Sequence, residues 1–325
     1  MLAVDGPNRG VLHSHHSFGQ AAIFLKEGAI VFSGCLVAMI TPFRDGEVDE
    51  AALRGLVKFH LKNGTDGLVP CGTTGESVTM SEEELLRVVE IVVEEVDGRI
   101  PVIAGTGTNS TSKSIKLTKA AQKLGADGAL LVTPYYNKPT QQGLFLHYEA
   151  IARATDLPLV LYNVPGRTSV NMLPETVARL ALIPTIVGIK EASGSMDQVS
   201  QIVDTCRSDF AVLSGDDSLT LPLLALGGVG VISVVGNIAP AAMSDLVRAH
   251  RAGDLTRARD LHYQLFNLCR AMFIETNPIP VKTAAAILGL CSDEMRLPMC
   301  ALSDGNRKKL EEAIRSCKAL QPVAA

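Results

Sequence analysis

The chain has 325 residues, of which 47% are hydrophobic and 20% are charged, and its formal net charge at pH 7 is −4. This composition is typical of a globular protein and suffices for one large barrel or two medium domains. Without a basic surplus, neither nucleic acid nor an anionic membrane is expected as a partner. The seven cysteines are scattered and form no C-x-x-C pair, which favours reduced thiols in the cytoplasm over disulfides or a zinc site.

The first 30 residues differ in composition from the rest of the chain. They are rich in Gly, His and Ser, and the apolar patch at residues 21–25 has no basic segment before it. A signal peptide is therefore not expected. His13, His15 and His16 leave a metal site open, but their setting favours a flexible polar tail. A transit peptide is a weaker alternative, because Arg9 is the only arginine here.

Eight apolar runs alternate with eight helical patterns between residues 35 and 252. The predicted strands are 35–40, 67–70, 101–104, 128–133, 157–162, 186–190, 210–213 and 230–235. The predicted helices are 49–61, 81–98, 112–124, 142–153, 174–182, 198–206, 218–226 and 241–252. Unbroken apolar strands that alternate with amphipathic helices indicate a parallel sheet covered by helices. Eight such units predict a closed (β/α)8 TIM barrel, with a doubly wound open sheet as the alternative.

Two local features refine this prediction. Residues 218–244 carry no formal charge, but prolines and glycines interrupt them, so they predict a buried helix, a strand and a turn rather than a membrane span. After residue 255 the pattern is helical only, which predicts a C-terminal appendage of about three helices. We therefore expect an N-terminal extension at residues 1–30, a catalytic barrel at 31–254 and a helical region at 255–325.

Lys190 ends an apolar predicted strand, Ile186 to Ile189. Removing an ammonium group from water is costly unless the group is paired or loses its proton. A desolvated lysine favours the neutral amine, which can attack a carbonyl carbon and form a Schiff base. The alternative is a strand-end lysine whose stem covers apolar surface while its head reaches water.

Polar residues follow the other predicted strands as well. In a (β/α)8 barrel the active site lies at the carboxyl ends of the strands. The residues predicted to meet there are Thr73, Thr74, Tyr135, Tyr136, Tyr162, Arg167, Lys190, Gly215 and Ile232. Each alone has a structural explanation, such as a core aromatic, a surface arginine or an ordinary turn. Together they favour a small anionic carbonyl substrate and Lys190 as the nucleophile. No metal is expected, because the histidines after residue 30 fall in helices without H-x-x-H spacing.

Five motifs carry a family resemblance and occur in order between about residues 32 and 320. They are Gly72–Ser77, Tyr162–Thr168, Gly188–Ala192, Ser214–Asp217 and Asn277–Lys282. This combination resembles the dihydrodipicolinate synthase family, which belongs to the pyruvate-dependent class I aldolases. Related lyases, including N-acetylneuraminate lyase and sugar-acid aldolases, share the lysine and the Y-N-x-P stretch. Arg167, in its P-x-R-T context, indicates the synthase.

The resemblance implies a (β/α)8 barrel that condenses pyruvate with L-aspartate 4-semialdehyde in lysine biosynthesis. Lys190 would form an imine with pyruvate, so no separate cofactor is expected. Thr73, Tyr162 and Tyr136 match the proton relay of the family, in which the tyrosine at the Tyr136 position comes from a neighbouring subunit. A homo-oligomer is therefore implied, usually a tetramer built from tight dimers.

The resemblance also assigns the binding residues. Thr74 would hold the pyruvate carboxylate, and Arg167 would bind the carboxylate of the semialdehyde, because a guanidinium fork suits a planar anion. Gly215 and Ile232 match positions that line the pyruvate pocket. Two alternatives remain: an aldolase that acts on another aldehyde, such as a sugar acid, and a catalytically silent barrel that binds a keto acid.

Two departures from the family pattern are visible. The usual start of the family aligns near Val31, which suggests an upstream start codon or an added leader before it. A lysine-effector site is matched by Ser77, Asn109 and Tyr135. However, Lys113 stands where the family places a glutamate against the effector's ammonium group, and two positions that are often histidine in sensitive members are Glu82 and Leu85. Since like charges repel, weak or absent inhibition by lysine is expected.

Overall fold

The computed structural model describes residues 31–320. The expectations for residues 1–30, and for the last five residues of the C-terminal region, lie outside this range. The described strands are β1 (Gly34–Ala38), β2 (Phe43–Arg44), β3 (Glu47–Val48), β4 (Gly67–Val69), β5 (Ile103–Gly105), β6 (Gly128–Val132), β7 (Leu159–Asn163), β8 (Ile186–Glu191), β9 (Ala211–Ser214) and β10 (Gly230–Ser233).

Eight of these strands form one parallel sheet in the order β4-β1-β10-β9-β8-β7-β6-β5, while β2 and β3 form a small antiparallel hairpin. A single parallel bridge, between Leu68 and Val102, joins the two ends of the sheet. The Leu68 amide donates to the Pro101 carbonyl, and the Gly105 amide donates to the Pro70 carbonyl, both at 2.9 Å. The sheet is thus a closed barrel, which confirms the TIM-barrel prediction and excludes the open doubly wound sheet.

Helices follow the barrel strands as predicted. They are α1 (Glu50–Lys62), α2 (Glu82–Val96), α3 (Thr111–Lys123), α4 (Gln141–Ala152), α5 (Pro165–Thr168), α6 (Pro174–Leu180), α7 (Met196–Thr205), α8 (Thr220–Ala225), α9 (Pro240–Arg251), α10 (Leu255–Ala271), α11 (Ile279–Ile287) and α12 (Asp304–Ser316). The start of α2 illustrates how the sequence sets these bounds. The Glu84 amide donates to Ser81 Oγ at 3.2 Å, and the Ser81 amide donates to Glu84 Oε2 at 2.8 Å. This reciprocal capping box satisfies two amides that the helix itself cannot pair.

The barrel interior is apolar except near the carboxyl ends of its strands. Every residue of β1, β7 and β8 is buried, as expected for strands of a parallel sheet that is covered on both faces. Ile232 and Tyr162 belong to the cluster of side chains that fills the lumen. The polar residues of the candidate site therefore lie on top of a packed core rather than in a pore.

Three helices follow the barrel, as the sequence predicted. They are α10, α11 and α12; α10 packs on α9, and α12 packs on α10 and α11. Within residues 31–320, no helix has both the length and the apolarity needed to cross a membrane.

Candidate active site

The candidate site is a cavity of about 240 Å³ at the carboxyl ends of the strands. Its walls include Thr73, Tyr162 and Arg167, which the sequence predicted as catalytic or substrate-binding residues. Ser77 and Tyr135 also line this cavity. Hydroxyl donors and one fixed positive charge therefore surround a space suited to small anionic substrates.

Lys190 lies beside this cavity, at the end of β8. Only 4% of the surface of Lys190 is exposed to solvent. In the barrel ladder Lys190 is the register partner of Tyr162, and its Nζ lies 4.4 Å from the centre of the Tyr162 ring. Within residues 31–320, no carboxylate oxygen lies within 4.0 Å of this nitrogen. The Lys190 amine is therefore buried without a carboxylate partner in this part of the chain, next to an aromatic ring that lines the cavity.

Gly215 leaves the space that the lysine side chain occupies. A Cβ atom at this position would lie 3.2 Å from Lys190 Cε and 2.6 Å from the Cβ of Ala192. The backbone is fixed there because the Gly215 amide donates to the Glu191 carbonyl at 2.8 Å. Any larger residue would clash with Ala192 and crowd the Lys190 side chain, which gives this predicted pocket position a physical reason.

A tight turn after β4 places the two predicted threonines. Cys71 and Glu76 begin and end it with φ values of 59° and 55°, in the left-handed region that non-glycine residues rarely adopt. The Glu76 amide donates to the Thr73 carbonyl at 3.2 Å, and Thr41 Oγ1 donates to the Gly75 carbonyl at 2.8 Å. The turn directs Thr73 to the cavity, while Thr74 is buried beside it.

Asn277 contacts both Thr74 and Arg167, and the sequence analysis gave it no role of its own. Its Nδ2 donates to Thr74 Oγ1 at 3.0 Å, and its main-chain carbonyl accepts from Arg167 Nη2 at 3.1 Å. Arg167 itself lies on the short helix α5, which the sequence patterns did not predict. The C-terminal region therefore contacts the site directly.

A second contact links the C-terminal region to the Gly72–Ser77 turn, and it is an ion pair. Lys282 Nζ and Glu76 Oε1 are 2.7 Å apart, and both side chains are almost wholly buried. The ammonium group also lies 4.1 Å from the centre of the Phe43 ring. Burial lowers the pKa of Lys282, and the Glu76 carboxylate opposes that shift. The signal available in the sequence was a lone lysine within the otherwise uncharged residues of α11.

Glu191, the residue after Lys190, carries a buried carboxylate. Glu191 accepts hydrogen bonds from Asn163 Nδ2 at 3.1 Å, from Gln198 Nε2 at 3.1 Å and from the Ser193 amide at 2.6 Å. Sequence reasoning missed this network. Because it joins the ends of β7 and β8 to α7, it fixes the strand ends that present Tyr162 and Lys190.

Five of the predicted catalytic and substrate-binding residues are not on the cavity wall, namely Lys190, Thr74, Gly215, Tyr136 and Ile232. The first three are described above, and the other two lie further from the cavity. Tyr136 is 90% exposed, with φ at 72°, and does not line the cavity of its own chain. Ile232 is fully buried in the barrel lumen below the site. The roles expected of Tyr136 and Ile232 stay predictions.

A smaller cavity of about 110 Å³ adjoins the first and brings together most of the predicted effector residues. Ser77 and Tyr135 line both cavities, and Lys113 lines the smaller one together with Glu82 and Leu85. Lys113 Nζ lies 3.8 Å from a Glu82 carboxylate oxygen. Asn109 is not part of this lining, and its main-chain carbonyl accepts from Asn137 Nδ2 at 2.9 Å.

Schiff-base chemistry needs an amine that can lose its charge at a place that a carbonyl group can reach. Lys190 places a buried amine beside the cavity, at the active-site end of a TIM barrel. Within residues 31–320, no group of three or more His, Cys, Asp or Glu side chains could hold a metal ion. The fold and the site thus define a lysine-dependent lyase or aldolase.

Comparisons with known proteins narrow this class. The model of the dihydrodipicolinate synthetase family matches residues 31–317. A 4-hydroxy-tetrahydrodipicolinate synthase from Pelobacter propionicus is 57% identical over 286 residues, which cover 88% of this chain and 99% of the relative. The chain belongs to the dihydrodipicolinate synthetase family.

Solved structures give the same result. Dihydrodipicolinate synthase from Aquifex aeolicus matches with a TM-score of 0.88 at 49% identity, covering 90% of this chain and all of that one. The Acinetobacter baumannii enzyme, crystallised with pyruvate, matches with a TM-score of 0.87 at 48% identity, covering 89% of this chain and 99% of that one. The five motifs therefore identified the family correctly from the sequence.

Proposed function

We propose that this protein condenses pyruvate with L-aspartate 4-semialdehyde to give 4-hydroxy-tetrahydrodipicolinate, the first committed step of lysine biosynthesis through diaminopimelate. The observation that carries the proposal is the buried Lys190 amine, without a counterion in the described chain, beside the cavity. The relative from Pelobacter propionicus is named 4-hydroxy-tetrahydrodipicolinate synthase, and the Acinetobacter baumannii enzyme was crystallised with pyruvate. Both names support the proposal.

In the first half of the reaction, the neutral Lys190 amine attacks C2 of pyruvate. Loss of water from the resulting carbinolamine gives an imine, whose nitrogen is protonated. The positive charge then draws electrons from C3, so that the methyl group loses a proton and an enamine forms. The imine itself is the electron sink, and for this reason we propose that the reaction needs no separate cofactor.

In the second half, C3 of the enamine attacks the aldehyde carbon of the semialdehyde. The aldehyde oxygen takes up a proton and becomes the hydroxyl group of the product. The amino group of the semialdehyde then attacks the imine carbon, which closes the ring and releases the Lys190 amine. Thr73 and Tyr162, which line the cavity, would relay the protons together with Tyr136 of a neighbouring subunit.

Two carboxylates must be bound for this chemistry, one from each substrate. Thr74 would hold that of pyruvate, whereas Arg167, on the cavity wall, would hold that of the semialdehyde by charge-assisted hydrogen bonds. Gly215 would keep room around Lys190, and Ile232 would bound the pyruvate site from the barrel side.

We also propose a homo-oligomer, a tetramer of tight dimers located in the cytoplasm. The exposed Tyr136 supports this proposal, because its ring would leave water on entering a partner's site. Within each subunit, the barrel of residues 31–254 would carry the catalytic groups. The helices after residue 255 would support that barrel.

The direct test is pyruvate consumption by the purified protein in the presence of L-aspartate 4-semialdehyde. We expect pyruvate to disappear only with this aldehyde, and borohydride to trap a pyruvate adduct even without it. A trapped adduct without consumption would indicate another acceptor, such as a sugar aldehyde. No adduct would instead favour a barrel that binds keto acids without catalysis.

Arg167→Ala is expected to raise the KM for the semialdehyde by about ten- to a hundredfold, because a charge-assisted hydrogen bond is worth about 1.5–3 kcal/mol. The KM for pyruvate should change by less than about twofold, since pyruvate binds elsewhere. Steady-state kinetics with each substrate varied in turn measures both effects. Arg167→Lys is the matched control, and equal changes in both KM values would contradict the assignment.

Inhibition by lysine is expected to be weak or absent. Lys113 lines the smaller cavity, and its ammonium group would repel the ammonium group of a bound lysine. Initial rates at increasing lysine concentration test this expectation, and clear inhibition by sub-millimolar lysine would refute it. Glu82, which pairs with Lys113, offsets part of the repulsion, so Glu82→Gln should not increase the response to lysine.

A further inference from the structure

Asn277 lies between the two residues that would bind the carboxylates of two different substrates. It is 4% exposed and immediately precedes the start of α11 at Pro278 and Ile279. Its side chain contacts Thr74, with Nδ2 3.0 Å from Thr74 Oγ1, whereas only its main-chain carbonyl contacts Arg167. A substitution at Asn277 therefore changes the contact with Thr74, whereas the main-chain carbonyl that accepts from Arg167 is kept.

The direction of the hydrogen bond to Thr74 has a chemical consequence. A hydroxyl group has one hydrogen to donate and can accept through its lone pairs, while an amide nitrogen can only donate. Thr74 Oγ1 must therefore accept from Asn277 Nδ2. The Thr74 hydrogen stays free for another acceptor, and a substrate carboxylate is an acceptor only.

The oxygen atom of the same side-chain amide, Oδ1, makes this orientation unfavourable on its own. Asn277 Oδ1 is buried and has no hydrogen-bond partner within residues 31–320, an arrangement that native proteins rarely keep. If the amide were reversed, Oδ1 would accept the Thr74 hydrogen and the hydroxyl could no longer offer it to a ligand. The observed orientation thus leaves an oxygen unsatisfied and keeps the hydroxyl hydrogen available.

The start of α11 is well anchored, so the amide is held in place. Lys282, one turn further along the helix, is paired with Glu76 of the turn that carries Thr74. The side chain of Asn277 and the turn thus belong to one connected unit. Small movements of the turn would carry donor and acceptor together.

We propose that Asn277 is a positioning residue for pyruvate. Its side-chain amide holds the Thr74 hydroxyl as a hydrogen-bond donor toward the pyruvate carboxylate. This inference rests on the proposed function, and in particular on Thr74 as a pyruvate ligand. It gives a role to the Asn277–Lys282 motif, which the reaction steps do not use.

Asn277→Asp is the first variant, because it keeps the shape of the side chain and replaces the donor with an acceptor. It also adds a negative charge that repels the pyruvate carboxylate, so the uncharged Asn277→Ala and the double-mutant cycle below separate the two effects. The Thr74 hydroxyl would then donate to the new carboxylate and turn its hydrogen away from pyruvate. We expect the KM for pyruvate to rise by about ten- to a hundredfold, with kcat and the KM for the semialdehyde changed by less than about threefold. Asn277→Ala leaves the hydroxyl free to rotate, so its pyruvate KM should rise less than that of Asn277→Asp.

A double-mutant cycle shows whether Asn277 acts through Thr74. In a Thr74→Val background, Asn277→Ala should produce no further rise in the pyruvate KM, because the hydroxyl group is already gone. Additive effects, equal rises in both KM values or a fall in kcat alone would overturn the proposal in favour of a general structural role. If Asn277→Asp does not fold, the cycle with Asn277→Ala decides alone.

Borohydride trapping separates this inference from the proposed function. The pyruvate concentration that gives half-maximal trapping needs no semialdehyde, and it should rise in Asn277→Asp as the KM does. If the unaltered protein traps no pyruvate, the proposed function fails. If the unaltered protein traps pyruvate and the half-maximal concentration is unchanged in Asn277→Asp, only the positioning role fails.

Discussion

Replacing Lys190 with alanine is expected to abolish turnover and borohydride trapping, while the protein remains folded. Every bond-making step of the proposed reaction depends on the imine, so loss of the amine should lower kcat by at least about a thousandfold. No ion pair of the described chain is broken by the change, because Lys190 has no carboxylate within 4.0 Å. Circular dichroism and Tm should therefore stay close to those of the unaltered protein.

Lys190→Arg serves as the control for charge and bulk. A guanidinium group stays protonated and cannot form the imine, so this variant should be inactive as well. Mass spectrometry after borohydride treatment with pyruvate should place the adduct on Lys190 in the unaltered protein only. An adduct on another lysine, or substantial turnover by Lys190→Ala, would contradict the assignment of the nucleophile.

Lys282→Met is expected to destabilise the protein by about 3–5 kcal/mol, because it leaves the Glu76 carboxylate buried without its partner. The 2.7 Å ion pair and its burial make this cost much larger than that of an ordinary surface charge. The measurement is denaturant unfolding monitored by circular dichroism, if unfolding is reversible, and Tm otherwise. The activity should fall too, because Glu76 ends the turn that places Thr73 and Thr74.

Two matched variants test the cause of this destabilisation. Adding Glu76→Gln to Lys282→Met removes the stranded charge and should recover part of the lost stability. Lys58→Met removes an exposed lysine from an ion pair in which Nζ lies 3.4 Å from Glu95 Oε1. That change should cost less than about 1 kcal/mol. Equal stability of Lys282→Met and the unaltered protein would show that the buried pair does not hold the turn.

Local patterns were enough to predict the architecture. The eight strand-then-helix units, the Ser81–Glu84 capping box and the buried strand that ends at Lys190 all depend on neighbours within a few residues of one another. Periodicity and capping record such contacts directly in the sequence. The barrel then follows, because parallel strands with crossover helices have few ways to bury both faces.

Contacts between distant segments could not be predicted in this way. Lys282 and Glu76 are 206 positions apart, and Asn277 and Thr74 are 203 positions apart. No local period relates such residues, and their partners are decided by how the C-terminal helices pack on the barrel. The family motifs included both Asn277 and Lys282, but a sequence motif does not indicate which distant residues its members contact. Helix α5 was missed because four residues are too few to display a helical period.

The closure of the barrel between β4 and β5 has a consequence for its motions. Pro70 and Pro101 flank these strands, and because proline has no amide hydrogen, both take part in the closure only as acceptors. This explains why a single bridge joins β4 to β5, whereas β7 and β8 share five register pairs. In native-state deuterium exchange, the amides of this interval should therefore be the least protected of the barrel ladder. The turn carrying Thr73 and Thr74 follows β4 directly, so this prediction attaches the part of the site that would receive pyruvate to the least protected interval of the barrel.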